Sequence, residues 1–151
     1  LLISADLDTE AGYPHFQAHE RDLAGRPVRG MSQLTERVMQ SIDHEAVGTI
    51  RERNRDHLHA HLKHLNLMPI DPAVAPGPMT YPFLTDNESL RYALREARIY
   101  AAQYWPQLLG SVEQGTPEDR FMRLVVHLPV DQRYGIDHMD RIVEVILRSI
   151  P

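Results

Sequence analysis

Phe121-Met122-Arg123-Leu124-Val125-Val126-His127-Leu128-Pro129 is the stretch on which the fold turns. Its Leu124-Val125-Val126 centre is rich in β-branched residues and Pro129 stops it, so Phe121–Leu128 reads as a strand. Two further strands are expected upstream. Met79–Thr85 is one, with Pro82 restricting it to an edge or a bulge, and Ile99–Trp105 is the other, ending before Pro106. Between them Asp86-Asn87 caps a helix through Leu90, Ala93, Leu94 and Ala97, and Gln107–Val112 reads as a short helical turn or loop. Beyond Pro129, Gly135 to Asp137 mark the start of a last helix. It carries Met139, Ile142, Val143, Ile146 and Ile150 at three- and four-residue steps, with acids where the macrodipole favours them.

Towards the N-terminus, five prolines between Pro69 and Pro82 forbid a helix interior and suit a turn-rich connection. Before it, Val47, Ile50, Asn54, Leu58, Leu62 and Leu65 fall on one face of a helix capped by Asp43, within an arc of about 120°. Pro69 is expected to end that helix. A shorter helix behind the Ser32 cap carries Leu34, Val38, Met39 and Ile42. Residues 1–31, broken by Tyr13-Pro14, Gly25-Arg26-Pro27 and Gly30, read as irregular apart from a strand at Leu1–Ser4. The fold expected is α+β: a three-stranded, mainly antiparallel sheet with helices on one face, preceded by a long helix. The expected division is 1–31 irregular, 32–66 linking helices and 67–151 an α/β domain.

The 151 residues hold 16 Lys plus Arg against 21 Asp plus Glu, a formal charge of -5 that argues against a nucleic-acid surface, which needs clustered cations. There is no run of about 18 apolar residues to span a membrane. The absence of cysteine removes disulfides, thiolate nucleophiles and Cys-ligated zinc. His57, His61 and His64 project from one side of their helix and could in geometry hold a metal, but no HExxH pattern accompanies them and a partly solvated helix edge is the expectation. No GxSxG, GxGxxG or P-loop pattern occurs. Lys63, the only lysine, projects opposite the apolar stripe, whereas a nucleophilic amine is usually desolvated in a pocket.

Three stretches are the most distinctive: Met79-Thr80-Tyr81-Pro82-Phe83-Leu84-Thr85-Asp86-Asn87, Arg98-Ile99-Tyr100-Ala101-Ala102-Gln103-Tyr104-Trp105-Pro106 and His127-Leu128-Pro129-Val130-Asp131-Gln132-Arg133-Tyr134. With the last helix, and with Met31-Ser32 through Ile42-Asp43 followed by Ile50-Arg51-Glu52-Arg53-Asn54, they resemble the C-terminal part of the DegT/DnrJ/StrS group of sugar aminotransferase-like, PLP-dependent fold-type I proteins. The likeness covers roughly residues 29–150. Tyr104 stands where that family usually shows His, and Ala102 where it shows Pro.

The resemblance implies the small C-terminal domain of fold-type I PLP enzymes, joined to a PLP-binding domain by a long interdomain helix. In a complete protein the implied reaction is amino transfer to a keto sugar or a similar carbonyl substrate. The family's aldimine lysine and its pyridine-nitrogen Asp lie before the region matched, and Leu1-Leu2-Ile3-Ser4 looks like the strand just after that lysine. The chain therefore reads as the later part of something longer, uncatalytic alone and without a cofactor of its own. The alternative is a non-catalytic interaction or regulatory module. Substrate contacts are expected from Arg133, Tyr134, Tyr104 and Trp105, and cofactor contacts from Arg29 and Ser32. Arg133 either holds a substrate anion or pairs with Asp131, and Trp105 is either a ligand platform or a core aromatic. Expected partners are an N-terminal PLP-binding domain or subunit, a small-molecule substrate and a second copy, through the helices of residues 33–66, in the cytoplasm.

Overall fold

The computed structural model describes residues 9–23, 25–71, 73 and 76–150. The strand expected at Leu1–Ser4 lies outside them. The described residues fall into two units, one up to Ile42 and one from Asp43.

The first unit holds α1 (Thr9–Leu23) and α2 (Gln33–Gln40). Helix α1 corrects the irregular reading of residues 1–31: Pro14 sits inside it, removing one N–H without ending it. Helix α2 follows the sequence pattern, with the Ser32 hydroxyl accepting from Thr35 N at 3.1 Å. Leu34, Val38, Met39 and Ile42 are all exposed.

The second unit contains α3 (His44–Leu62), β1 (Thr80–Leu84), α4 (Leu90–Glu96), a single 3-10 turn at Pro106–Leu108, α5 (Pro117–Leu124), β2 (Val125–Pro129) and α6 (Ile136–Ser149). Asp43 caps α3 by accepting from Ala46 N at 2.9 Å. The helix stops at Leu62, well before Pro69, and its stripe turns inward within its own unit, with Asn54, Leu58 and Leu62 fully buried. It is thus built into this domain's core.

The sheet has two strands, β1 and β2, antiparallel with Tyr81 opposite Leu128 and Phe83 opposite Val126. Those four side chains face α3, α4 and α6 and join Leu58, Leu90, Met139 and Ile146 in one apolar core. The expected third strand reduces to one bridge, Ala102 opposite His127. The strand expected over Phe121–Leu128 divides: Thr116 caps a helix with Pro117 at its start and Glu118 and Asp119 in its first turn, and β2 begins only at Val125. Arg91 on α4 holds that break in place, donating to the carbonyls of Arg123 (2.6 Å) and Val125.

Side chains replace missing sheet partners elsewhere. Along the outer edge of β1, Asn66 Oδ1 accepts from Leu84 N at 2.9 Å, Asn66 Nδ2 donates to the Pro82 carbonyl at 2.9 Å, and Leu67 N donates to the Leu84 carbonyl at 3.0 Å. Asn54 Nδ2 reaches from α3 to three carbonyls of the turn after β2, those of Val130 (3.3 Å), Asp131 (3.3 Å) and Tyr134 (2.9 Å).

Candidate functional site

Alternation along a strand sends Pro82 and His127, paired across the sheet, to the face opposite the core. There they floor an apolar cleft of about 200 Å³, walled by Tyr104, Trp105, Phe121 and Met122, with Met68 and Val125 at its sides. The segment after α4 supplies Tyr104 and Trp105, anchored by the Ala102–His127 bridge and by Gln103 Nε2 donating to the Met122 carbonyl at 3.2 Å. Helix α5 supplies Phe121 and Met122.

The rings are tilted against one another. Tyr104 lies 4.2 Å from the His127 ring centroid at 46°, and 5.8 Å from Trp105 at 55°. Trp105 is 61% exposed, so it is no core aromatic, and its φ of 51° puts it in the left-handed region. Burial, helped by the nearby Arg91 guanidinium, holds the His127 imidazole below its ordinary range and hence neutral at pH 7. No hydrogen bond joins that imidazole to any described residue.

Arg133 and Tyr134 occupy a different place, the turn between β2 and α6. Arg133 forks onto Asp131, with Nε to Oδ1 at 2.8 Å and Nη2 to Oδ2 at 2.9 Å, while its backbone N–H donates to the same Oδ1 at 3.0 Å. Its guanidinium also lies 5.6 Å from the Tyr134 ring centroid. The fork pushes the Arg133 pKa up and draws the Asp131 carboxyl well below the usual carboxylate range. A ligand anion would have to compete with that carboxylate. Arg29 and Ser32 belong to the first unit, where both are exposed and the Ser32 hydroxyl is engaged in its cap.

The histidines on α3 are occupied singly: His57 Nε2 meets Asp140 Oδ1 at 2.7 Å, and His61 Nδ1 lies 2.9 Å from its own helix's His57 carbonyl. Among the described residues no group of three His, Asp or Glu is placed to hold a metal. Lys63 is the C-cap of α3 and exposed, not enclosed in a pocket as nucleophilic lysines usually are. Met68, Pro82, Phe121, Met122, Val125 and His127 are the cleft residues that sequence reasoning did not single out for a site. The legible signal was a histidine at the outward-facing position between Val126 and Leu128.

Comparison with family models, curated proteins and solved structures returns no match for the chain. No helix among the described residues is long and apolar enough to cross a membrane.

Proposed function

We propose that the chain is the C-terminal, small-domain portion of a PLP-dependent aminotransferase-like protein whose complete form transfers an amino group to a keto sugar or similar carbonyl substrate. In this reading the lysine that holds PLP belongs to residues outside this sequence, and the second unit supplies one wall of the substrate site. The observation that carries it is the convergence of the three stretches bearing the resemblance: 80–84 pairs with 125–129, and Ala102 bridges His127. Tyr104 and Trp105 are thereby held over one side of the sheet beside Pro82. The rings would exclude water from that wall, and Arg133 would have to leave Asp131 to hold a substrate anion at the turn. Homodimer contact falls to the exposed apolar side chains of α2 in this scheme, since α3 buries its own stripe.

The exposed Lys63 and the Asp131-bound Arg133 favour a second reading, a non-catalytic interaction module built on the same domain. Borohydride reduction of the protein from its natural source, followed by peptide mapping, separates the two. A phosphopyridoxyl lysine outside these 151 residues is expected. A protein without any such adduct overturns the aminotransferase reading in favour of the module.

A further inference from the structure

We propose that His57 and His61, one turn apart on α3, form a two-nitrogen binding site for a divalent transition-metal ion of the zinc and copper class. The site lies outside the aminotransferase reading and does not depend on it.

Residues four apart on a helix lie one above the other, and here the two imidazoles meet with ring centroids 4.5 Å apart and planes 34° from parallel. Their hydrogen bonds fix which nitrogen of each ring carries a proton. His57 Nε2 meets Asp140 Oδ1 of α6 at 2.7 Å, and an ionised carboxylate can only accept, so Nε2 is the donor. His61 Nδ1 lies 2.9 Å from the His57 carbonyl, which likewise can only accept. In a neutral imidazole the other nitrogen keeps its lone pair. His57 therefore presents Nδ1 and His61 presents Nε2, and no described residue is bonded to either. Metal-ligating histidines are held in the same way: a carboxylate or a backbone carbonyl takes the N–H on the far side of the ring, fixing the tautomer and leaving the lone pair for the metal. Two nitrogens bonded to one ion at about 2.0–2.1 Å each lie at most about 4.2 Å apart, a span that rings 4.5 Å apart reach by small side-chain rotations.

The donor set selects the ion. Imidazole nitrogen suits zinc, copper and nickel, whereas magnesium and calcium take oxygen ligands. Two protein ligands leave coordination positions for water, which the exposed His61 admits. His15 and His19 on α1 repeat the spacing without the outer bonds, since neither ring is hydrogen-bonded to a described residue. Spacing is thus shared by both pairs, and the fixed tautomers belong to His57 and His61.

Zn²⁺, Cu²⁺ and Mg²⁺ are titrated calorimetrically into the 151-residue chain carrying His15→Ala and His19→Ala, so that the α3 pair is read by itself. Saturable binding of one ion per chain is expected for Zn²⁺ and Cu²⁺, tighter for Cu²⁺, with none for Mg²⁺. His61→Ala, at an exposed position, should abolish it. Asp140→Asn, which leaves both ligands in place, should weaken it about 10–100-fold, as loss of an outer carboxylate does. Should a variant fail to fold, the unaltered protein supplies the answer: Zn²⁺ must move the imidazole ¹⁵N resonances of His57 Nδ1 and His61 Nε2 more than those of any other histidine. The proposal is overturned by the absence of saturable Zn²⁺ and Cu²⁺ binding, by undiminished affinity in His61→Ala or Asp140→Asn, or by equal affinity for Mg²⁺. Zinc-induced shifts centred on other nitrogens also overturn it, and assign the ion to whichever histidines they mark.

Discussion

Arg98 and Trp105 are the non-glycine residues held at positive φ among those described, at 59° and 51°. Arg98 closes α4 in a Schellman turn, with its own N–H on the Arg95 carbonyl and that of Ile99 on the Leu94 carbonyl, both at 2.8 Å. Glycine is the usual residue there because it has no Cβ to strain, so Arg98→Gly should stabilise the fold by about 1 kcal/mol in denaturant titration. Trp105 precedes Pro106, which disfavours helical backbone before it, and its strain sits at the mouth of the cleft. Trp105→Gly should accordingly be more stable than Trp105→Ala by about 1 kcal/mol, although both lose the same ring. Asp131 sets a pH dependence. Its folded pKa lies below the unfolded value because Arg133 bonds the carboxylate, so its stabilisation is full above the ordinary carboxylate range and is lost as pH falls through the lower folded value. Asp131→Asn should flatten the acid limb of stability below about pH 4. The Asp131–Arg133 contact was legible as an alternative because both partners lie in one turn. The exposure of Trp105 was not, since it depends on where α5 comes to rest.

At the level of elements, Asn54 ties α3 to the turn that carries Asp131 and Arg133. With three carbonyls around Nδ2, the amide orientation is forced. Asn54→Ala should cost about 2 kcal/mol in thermal or denaturant unfolding. Asn54→Asp should cost more again, because a carboxylate would face three carbonyl oxygens in a fully buried position. The stripe on α3 and the apolar steps of α6 were readable because one periodicity ran through each. The Phe121–Leu128 run misled because its apolar and β-branched residues straddle two elements. Local start signals at Thr116-Pro117 favour a helix, and the break at Val125 is fixed by Arg91, a residue distant in sequence. The expected strand at Ile99–Trp105 failed for a related reason. Its backbone meets β2 at Ala102 alone, then turns away through the left-handed Trp105. Helix α1 was missed because Pro14 reads as a breaker, yet the helix continues through it.

For the whole molecule, the residues of the apolar core all lie at or beyond Leu58, while the described large apolar side chains of the first unit, Tyr13, Phe16, Leu23 and Leu34 among them, are exposed. The α+β class was legible because helical and alternating periods follow one another along residues 43–150. The boundary at Asp43 was not, since helix length alone does not reveal that the stripe of α3 would be buried in the domain following it. Residues 43–151 should therefore fold without residues 1–42, with a melting temperature within about 4 °C of the full chain, a shift equivalent to less than about 1 kcal/mol for a domain of this size. Loss of cooperative melting on that deletion would show that the core depends on the first unit. The outer edge of β1 carries a last consequence, for behaviour at high concentration. A two-stranded sheet with an unpaired margin is a template for other chains, and here a single carboxamide, together with the missing N–H of Pro82, occupies part of that margin. Asn66 should thus guard against aggregation as well as pack, an expectation that Asn66→Ala checks by faster association at high concentration in light scattering.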